Sequence, residues 1–79
     1  MSVQLHGQVI ALSGHCGSDD AERLVGHLLD QPNAIIDWTG CERAHTAVVQ
    51  VVLAADRKVL GPPRSAFLAQ WVEPLLRNG

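Results

Sequence analysis

The 79-residue chain contains no apolar run long enough to cross a bilayer, so direct membrane insertion is not expected. Its first residues, MSVQLHGQVIAL, lack the charged start and long apolar stretch of a secretory signal, which makes the cytoplasm the expected compartment. Cysteine is scarce. Cys16 and Cys41 are the only two, and without an export signal two thiols are expected to be reduced, as small buried or semi-buried side chains. Basic residues are few as well: six Lys and Arg are spread along a chain of net charge -2, which argues against a nucleic-acid surface. There is no internal repeat, linker or low-complexity segment, and the length excludes a second domain. Against these absences, 47% hydrophobic residues supply enough material for one small core, with little margin of stability.

The order of apolar patterns points to an α/β chain. Val3 and Leu5 alternate with polar neighbours, Gly7 permits a tight turn, and Val9 to Leu12 can complete a hairpin. Ser13, Gly14, Gly17 and Ser18 are expected to connect this hairpin to a helix capped by Asp19, with Glu22 completing a capping box. Ala21, Leu24, Val25, Leu28 and Leu29 make one apolar face of that helix, and Pro32 closes it. Further on, Lys58, Val59 and Leu60 fit a very short strand before Gly61-Pro62-Pro63. Ser65 is placed to cap a last helix carrying a wide stripe of Phe67, Leu68, Trp71, Val72, Leu75 and Leu76, which Pro74 is expected to kink or to deprive of regular hydrogen bonding. Trp38 and Trp71 are expected to anchor the two ends of the core, with a contact surface as the other role open to either.

Between these parts lies NAIIDWTGCERAHTAVVQVVLAA, residues 33–55. Ala34, Ile35 and Ile36 form a continuous apolar run, as in a strand covered on both faces of a partly parallel sheet, with Asp37 near its carboxyl end. A polar loop then delivers the chain to a helix that Thr46 is expected to cap and that runs through Ala55. Such loops are favoured places for binding. On that helix Val48, Val49, Val52 and Leu53 gather the larger side chains, while Ala47, Gln50 and Ala54 make a narrower stripe of small or polar residues, open to solvent or to a partner.

This segment resembles the heart of the STAS domain, the family of the bacterial anti-sigma-factor antagonists. There a strand ending in Asp, a polar turn with glycine and an Asp-Ser pair at the foot of a helix precede a Gly- and Leu-rich helical run. By that resemblance Asp37 stands at the strand-end Asp, Gly40 at the turn glycine, His45 at the Asp of the pair and Thr46 at the phosphorylatable Ser. His45 departs from the acidic residue and Thr46 is a conservative replacement. The preceding VIALSGHCGSDDAERLVGHLLDQ has the order of the family's central strand, turn and first helix, so the likeness covers roughly two thirds of the chain. The family pattern continues through another strand and helix, which makes this chain look shortened. The resemblance implies a compact STAS-like domain, a small mixed β-sheet with helices mainly on one face.

It also implies protein recognition in bacterial regulation without enzymatic turnover or a cofactor, with an anti-sigma factor or switch kinase as partner. The contact surface expected is Glu42, Arg43, His45, Thr46, Ala47 and Gln50, with a homodimer left open. A phosphate on Thr46 would sit near helix-terminal amides and add roughly two negative charges, whereas the plain alternative is a helix cap. A fixed adaptor subunit of a transporter-associated or signalling assembly is the second reading. A third, of another class, is a metal-dependent or thiol enzyme. Cys41 and His45 have CxxxH spacing and His15-Cys16 could join them if the loops converge, yet no paired-Cys spacing is present and no metal is expected. Asp37, Glu42 and Asp19-Asp20 have simpler structural roles in loop amide bonding, solvation and helix termini.

Overall fold

The computed structural model describes residues 2–78. Strands β1 (Val3–His6) and β2 (Val9–Cys16) form the expected hairpin, with Gly7 in the left-handed region at φ 63°. They are followed by α1 (Ser18–Asp30), β3 (Ile35–Ala44), α2 (Thr46–Ala54), β4 (Val59–Leu60) and a last helical segment, in which a π-helical turn (Leu68–Val72) runs into α3 (Glu73–Asn78). The four-stranded sheet has the order β1-β2-β3-β4, antiparallel between β1 and β2 and parallel thereafter. Both crossovers advance across the sheet in one direction, and right-handed crossovers of that kind place their helices on the same face. The result is a compact α/β domain with a small mixed sheet and helices on one side. Among the described residues no helix is long and apolar enough to cross a membrane.

The sheet's inner face buries Val3, Ile10, Leu12, Ile36, Trp38 and Val59 against Leu24 and Leu28 of α1 and Val48 and Val52 of α2. Its outer face carries exposed Gln4, His6, Ser13 and Thr39, with Val9, Ala11, Ile35 and Asp37 partly exposed. The expected coverage of Ile35 and Ile36 on both faces is therefore corrected: with every helix on one side, strand alternation buries Ile36 and leaves Ile35 half-open.

The polar segment expected as a loop is strand. β3 continues to Ala44 and stays paired with β2, which likewise continues through Ser13 and Gly14 to Cys16. Two register shifts let it do so. Ala11 pairs with Asp37 but Ser13 with Gly40, and Gly14 pairs with Cys41 but His15 with Arg43, so β3 holds one extra residue at each step. Such bulges bend a strand and raise its twist. The first is formed locally, for the Asp37 carboxylate accepts hydrogen bonds from the Thr39 amide at 3.0 Å and hydroxyl at 2.7 Å. Asp37 and Gly40 are thus strand residues, not loop residues.

Helix ends follow their hydrogen bonds. Gly17, not Asp19, precedes α1, and the Asp20 carboxylate, not that of Glu22, accepts the Gly17 amide at 2.8 Å. Asp20 is buried and also meets Arg23 at 3.3 Å, so its charge is both solvated and paired by protein groups. At the other end of α1 the Arg57 guanidinium donates to the carbonyls of Leu28, Gln31 and Ala34 at 2.9, 3.0 and 3.0 Å. Those of Leu28 and Gln31 are helix-terminal acceptors without a helical donor, and that of Ala34 lies just before β3. Ser65 caps the last helical segment as expected, its hydroxyl accepting from the Leu68 amide at 3.2 Å. Regular α-helical bonding gives way ahead of Pro74, as expected, although the helix continues beyond it. The π turn ahead of it, closed by a bond from the Glu73 amide to the Leu68 carbonyl, widens the backbone where a proline ring would otherwise press on it.

The last segment is joined to the sheet by the Trp38 indole, which donates to the buried Glu73 carboxylate at 3.1 Å. Gly61 passes close to that pair: a Cβ at this position would lie 2.8 Å from Glu73 Oε2 and 2.9 Å from Trp38 Nε1. Gly61→Ala is therefore expected to destabilise the fold by about 2 kcal/mol through overpacking. Gly26→Ala, in α1 with open space around its position, is expected to stabilise it by about 1 kcal/mol. Urea unfolding of the two variants reads the opposite signs directly.

Candidate functional site

The two parallel strands β2 and β3 end side by side, and α2 starts from their carboxyl ends. The His45 amide donates to the Cys16 carbonyl at 2.8 Å, which fixes the first residue before α2 to the last residue of β2. His45 has extended backbone angles, φ -60° and ψ 150°, and its Nδ1 accepts from the Ala47 amide at 3.0 Å. His45 is therefore the cap, in place of the expected Thr46. The amides a Thr46 cap would need, those of Val48 and Val49, already donate to the His45 carbonyl at 2.9 and 3.2 Å, and Thr46 becomes the first helical residue, exposed.

From there α2 buries Val48 and Val52 and leaves Gln50, Leu53 and Ala54 exposed. A groove runs along each side of it. One, of about 420 Å³, lies between α2 and the last helical segment, with Arg43 and Thr46 at one end and Val49, Phe67, Leu68 and Val72 as apolar walls. The other, of about 530 Å³, lies between α1 and α2 and is lined by Ala21, Glu22, Val25, Ala47, Gln50, Val51 and Ala54. Sequence periodicity had singled out Ala47, Gln50 and Ala54 as one stripe, and they form the α2 side of this second groove.

The expected contact residues are thus divided. Arg43 and Thr46 belong to the first groove and Ala47 and Gln50 to the second, with the ridge of α2 between them; Glu42 and His45 are exposed but line neither. Asp37 and Gly40 lie earlier on β3, Asp37 opposite Ala11 and Leu60 and Gly40 opposite Ser13.

Of the wide stripe expected on the last helix, Leu68 and Val72 are buried while Phe67 and Leu75 are 66% and 57% exposed; Trp71, expected to anchor the core or else to lie at a contact surface, is 63% exposed and does not anchor the core. The π turn changes the helical phase between these residues, so the single stripe splits into an inward and an outward set. The signal was the width of that stripe, greater than the one face of a helix that a sheet this small can cover.

Cys16 and Cys41 converge. Both are buried, on one face of neighbouring strands, and their thiols donate to backbone carbonyls, Cys16 to Ser13 at 3.7 Å and Cys41 to Arg43 at 3.4 Å. The nearby Cys41, then burial, pushes the Cys16 thiol well above its ordinary range, while the nearby Cys16 lowers Cys41. The histidines do not join them. His15 is exposed and paired in register with Arg43, and His45 Nδ1 is occupied with the Ala47 amide. Among the described residues no group of three or more His, Cys, Asp or Glu side chains is placed to hold a metal ion. Comparison with family models, with curated proteins and with solved structures gives no match.

The cap gives a direct check on this geometry. His45→Ala is expected to cost about 1 kcal/mol of stability by leaving a helix-terminal amide unpaired, while His45→Asn retains most of it. Denaturant midpoints of the two variants distinguish a capping imidazole from a merely exposed one.

Proposed function

We propose that this chain is a non-enzymatic protein-recognition module that presents α2 and its flanking grooves to a partner. The observation that carries the reading is the apolar character of the surface around Thr46. A small domain exposes single hydrophobic residues routinely, but here exposed Phe67 and Val25 line the grooves on the two sides of α2, Leu53 is exposed on the helix itself, and Trp71 and Leu75 are exposed on the last helical segment. Surfaces of this kind are suited to protein contact, in which aromatic anchors supply much of the binding energy. The STAS resemblance supplies the class of partner, an anti-sigma factor or a related switch kinase in a bacterial cytoplasm.

Thr46 is the candidate modification point in this reading. It is exposed, it is released from capping by His45, and it shares a groove with Arg43. A phosphate there would meet the positive end of α2 and the nearby guanidinium, and would carry about two negative charges into the apolar contact surface. Phosphorylation by the cognate kinase is expected to weaken binding.

The exposed aromatic residues also support the fixed-adaptor reading, because permanent interfaces are more apolar than those that form and dissociate. In that case association is stoichiometric and Thr46 stays unmodified.

Affinity capture from the native cell separates these outcomes. Gln50→Arg is expected to remain folded, with a stability change within about 0.5 kcal/mol, and to lose partner capture, because it places a long cation in the groove between α1 and α2. Thr46→Glu is expected to weaken capture under the switch reading. Val52→Asp, at a position 1% exposed, buries a charge and is expected to lose about 3 kcal/mol or more of stability, serving as the misfolded control. Normal capture by both Gln50→Arg and Thr46→Glu would remove α2 as the recognition element.

A further inference from the structure

The chain's only two cysteines lie far apart in sequence, yet strand pairing brings them together in the core. Gly14 of β2 pairs with Cys41 of β3, and Cys16 pairs with Ala44, so the two side chains lie on a diagonal across the second bulge. Both face the helical layer and are buried, at 3% and 0% exposure. We propose that Cys16 and Cys41 form a reversible disulfide within the native fold, making the junction of β2, β3 and α2 an oxidisable site.

This inference is independent of the recognition reading. The two residues are diagonal neighbours on one buried face, and each thiol is tied only to backbone carbonyls: Cys16 Sγ lies 3.9 and 3.7 Å from those of Ser2 and Ser13, and Cys41 Sγ 3.4 Å from that of Arg43. A bulged ladder contains an unpaired residue, which gives β3 the latitude to settle into disulfide geometry. The Ser2 carbonyl accepts the Ser13 amide at 2.9 Å and its hydroxyl donates to the His15 carbonyl at 3.0 Å, so local opening of these two bonds loosens the end of β2 that carries Cys16.

The chemistry needs a small two-electron oxidant, and hydrogen peroxide is the class that fits a buried pair. Cys41, the thiol favoured as thiolate, attacks one peroxide oxygen; a sulfur–oxygen bond forms, the oxygen–oxygen bond breaks, and hydroxide leaves to become water. The Cys16 sulfur then attacks the sulfenic sulfur. A sulfur–sulfur bond forms, the sulfur–oxygen bond breaks, and the departing hydroxide takes the Cys16 proton as a second water. The two thiols are oxidised and one peroxide is reduced.

The bond would act on three helix starts at once. Cys16 directly precedes the Gly17 cap of α1 and its carbonyl holds His45 before α2, while the Cys41 carbonyl accepts the Arg64 and Ser65 amides, at 2.9 and 3.2 Å, just before the last helical segment.

The test uses the reduced, folded full chain, treated with hydrogen peroxide, alkylated to count free thiols, and weighed intact. The expected product is a monomer lighter by about 2 Da, the two hydrogens, with no alkylated cysteine. Peptide mapping should join the Cys16 and Cys41 segments, and dithiothreitol should restore both thiols. With Cys16→Ser, Cys41 should be trapped by dimedone as the sulfenic acid. The wild-type mass decides the matter whether or not that variant folds. Two thiols that remain alkylatable, oxygen adducts without a crosslink, bonds between chains, or a crosslink that forms only in denaturant would each overturn the proposal.

Discussion

The hydrogen bond from the Trp38 indole to the buried Glu73 carboxylate is the constraint on which the helical layer depends. α1 and α2 are placed by their crossovers, because each must pack back on the sheet between two parallel strands. Among the described residues no strand follows the last helical segment to position it. Its place is set where Cys41 accepts the Arg64 and Ser65 amides, and where Trp38, at the centre of β3, meets Glu73. Hydrogen bonds to a charged group are worth about 1.5–3 kcal/mol, and a buried indole N–H left without an acceptor loses a similar amount. Gly61 lets the chain pass close enough for the pair to form. The groove beside Thr46 follows from this, since its far wall is the segment that Glu73 holds in place.

Elements with a strong local period were legible in the sequence. The hairpin around Gly7, the α1 and α2 helices and the Ser65 cap all have short-range causes and lie where their residues imply, but of the expected apolar face of α1 only Ala21, Leu24 and Leu28 are buried, Val25 and Leu29 being exposed beyond the sheet's cover. Chain order then limits the topology, so a mixed sheet with helices on one face follows from few choices. Residues 38–44 were not legible as strand because Asp37, Gly40 and Glu42 carry turn composition. Long-range pairing with β2 outweighs that preference, and two bulges absorb the mismatch.

Two features depend on contacts that no local pattern announces. Arg57 reaches three carbonyls at the end of α1 and the start of β3, a role fixed only once α1, β3 and β4 are assembled. The outward turn of Phe67 and Trp71 accompanies a π turn ahead of Pro74 that takes one extra residue into the helical turn. For the candidate site, the sequence pointed correctly to the small-residue stripe of Ala47, Gln50 and Ala54 as a surface, but gave no sign that Thr46 and Gln50 would face different grooves.

That separation bears on how a partner can engage the domain. A ligand in one groove meets either Arg43 and Thr46 or Ala47 and Gln50, whereas a surface that straddles α2 meets all four. Charge placed at Thr46 would then act on one edge of a shared interface, and bulk at Gln50 on the other. Between them runs a helix whose first amides are capped by His45 and whose start is tied to Cys16, the diagonal neighbour of Cys41. The exposed ridge and the buried thiol pair are therefore two sides of one junction: the carbonyl that holds α2 belongs to the strand end that the sulfur chemistry would bridge.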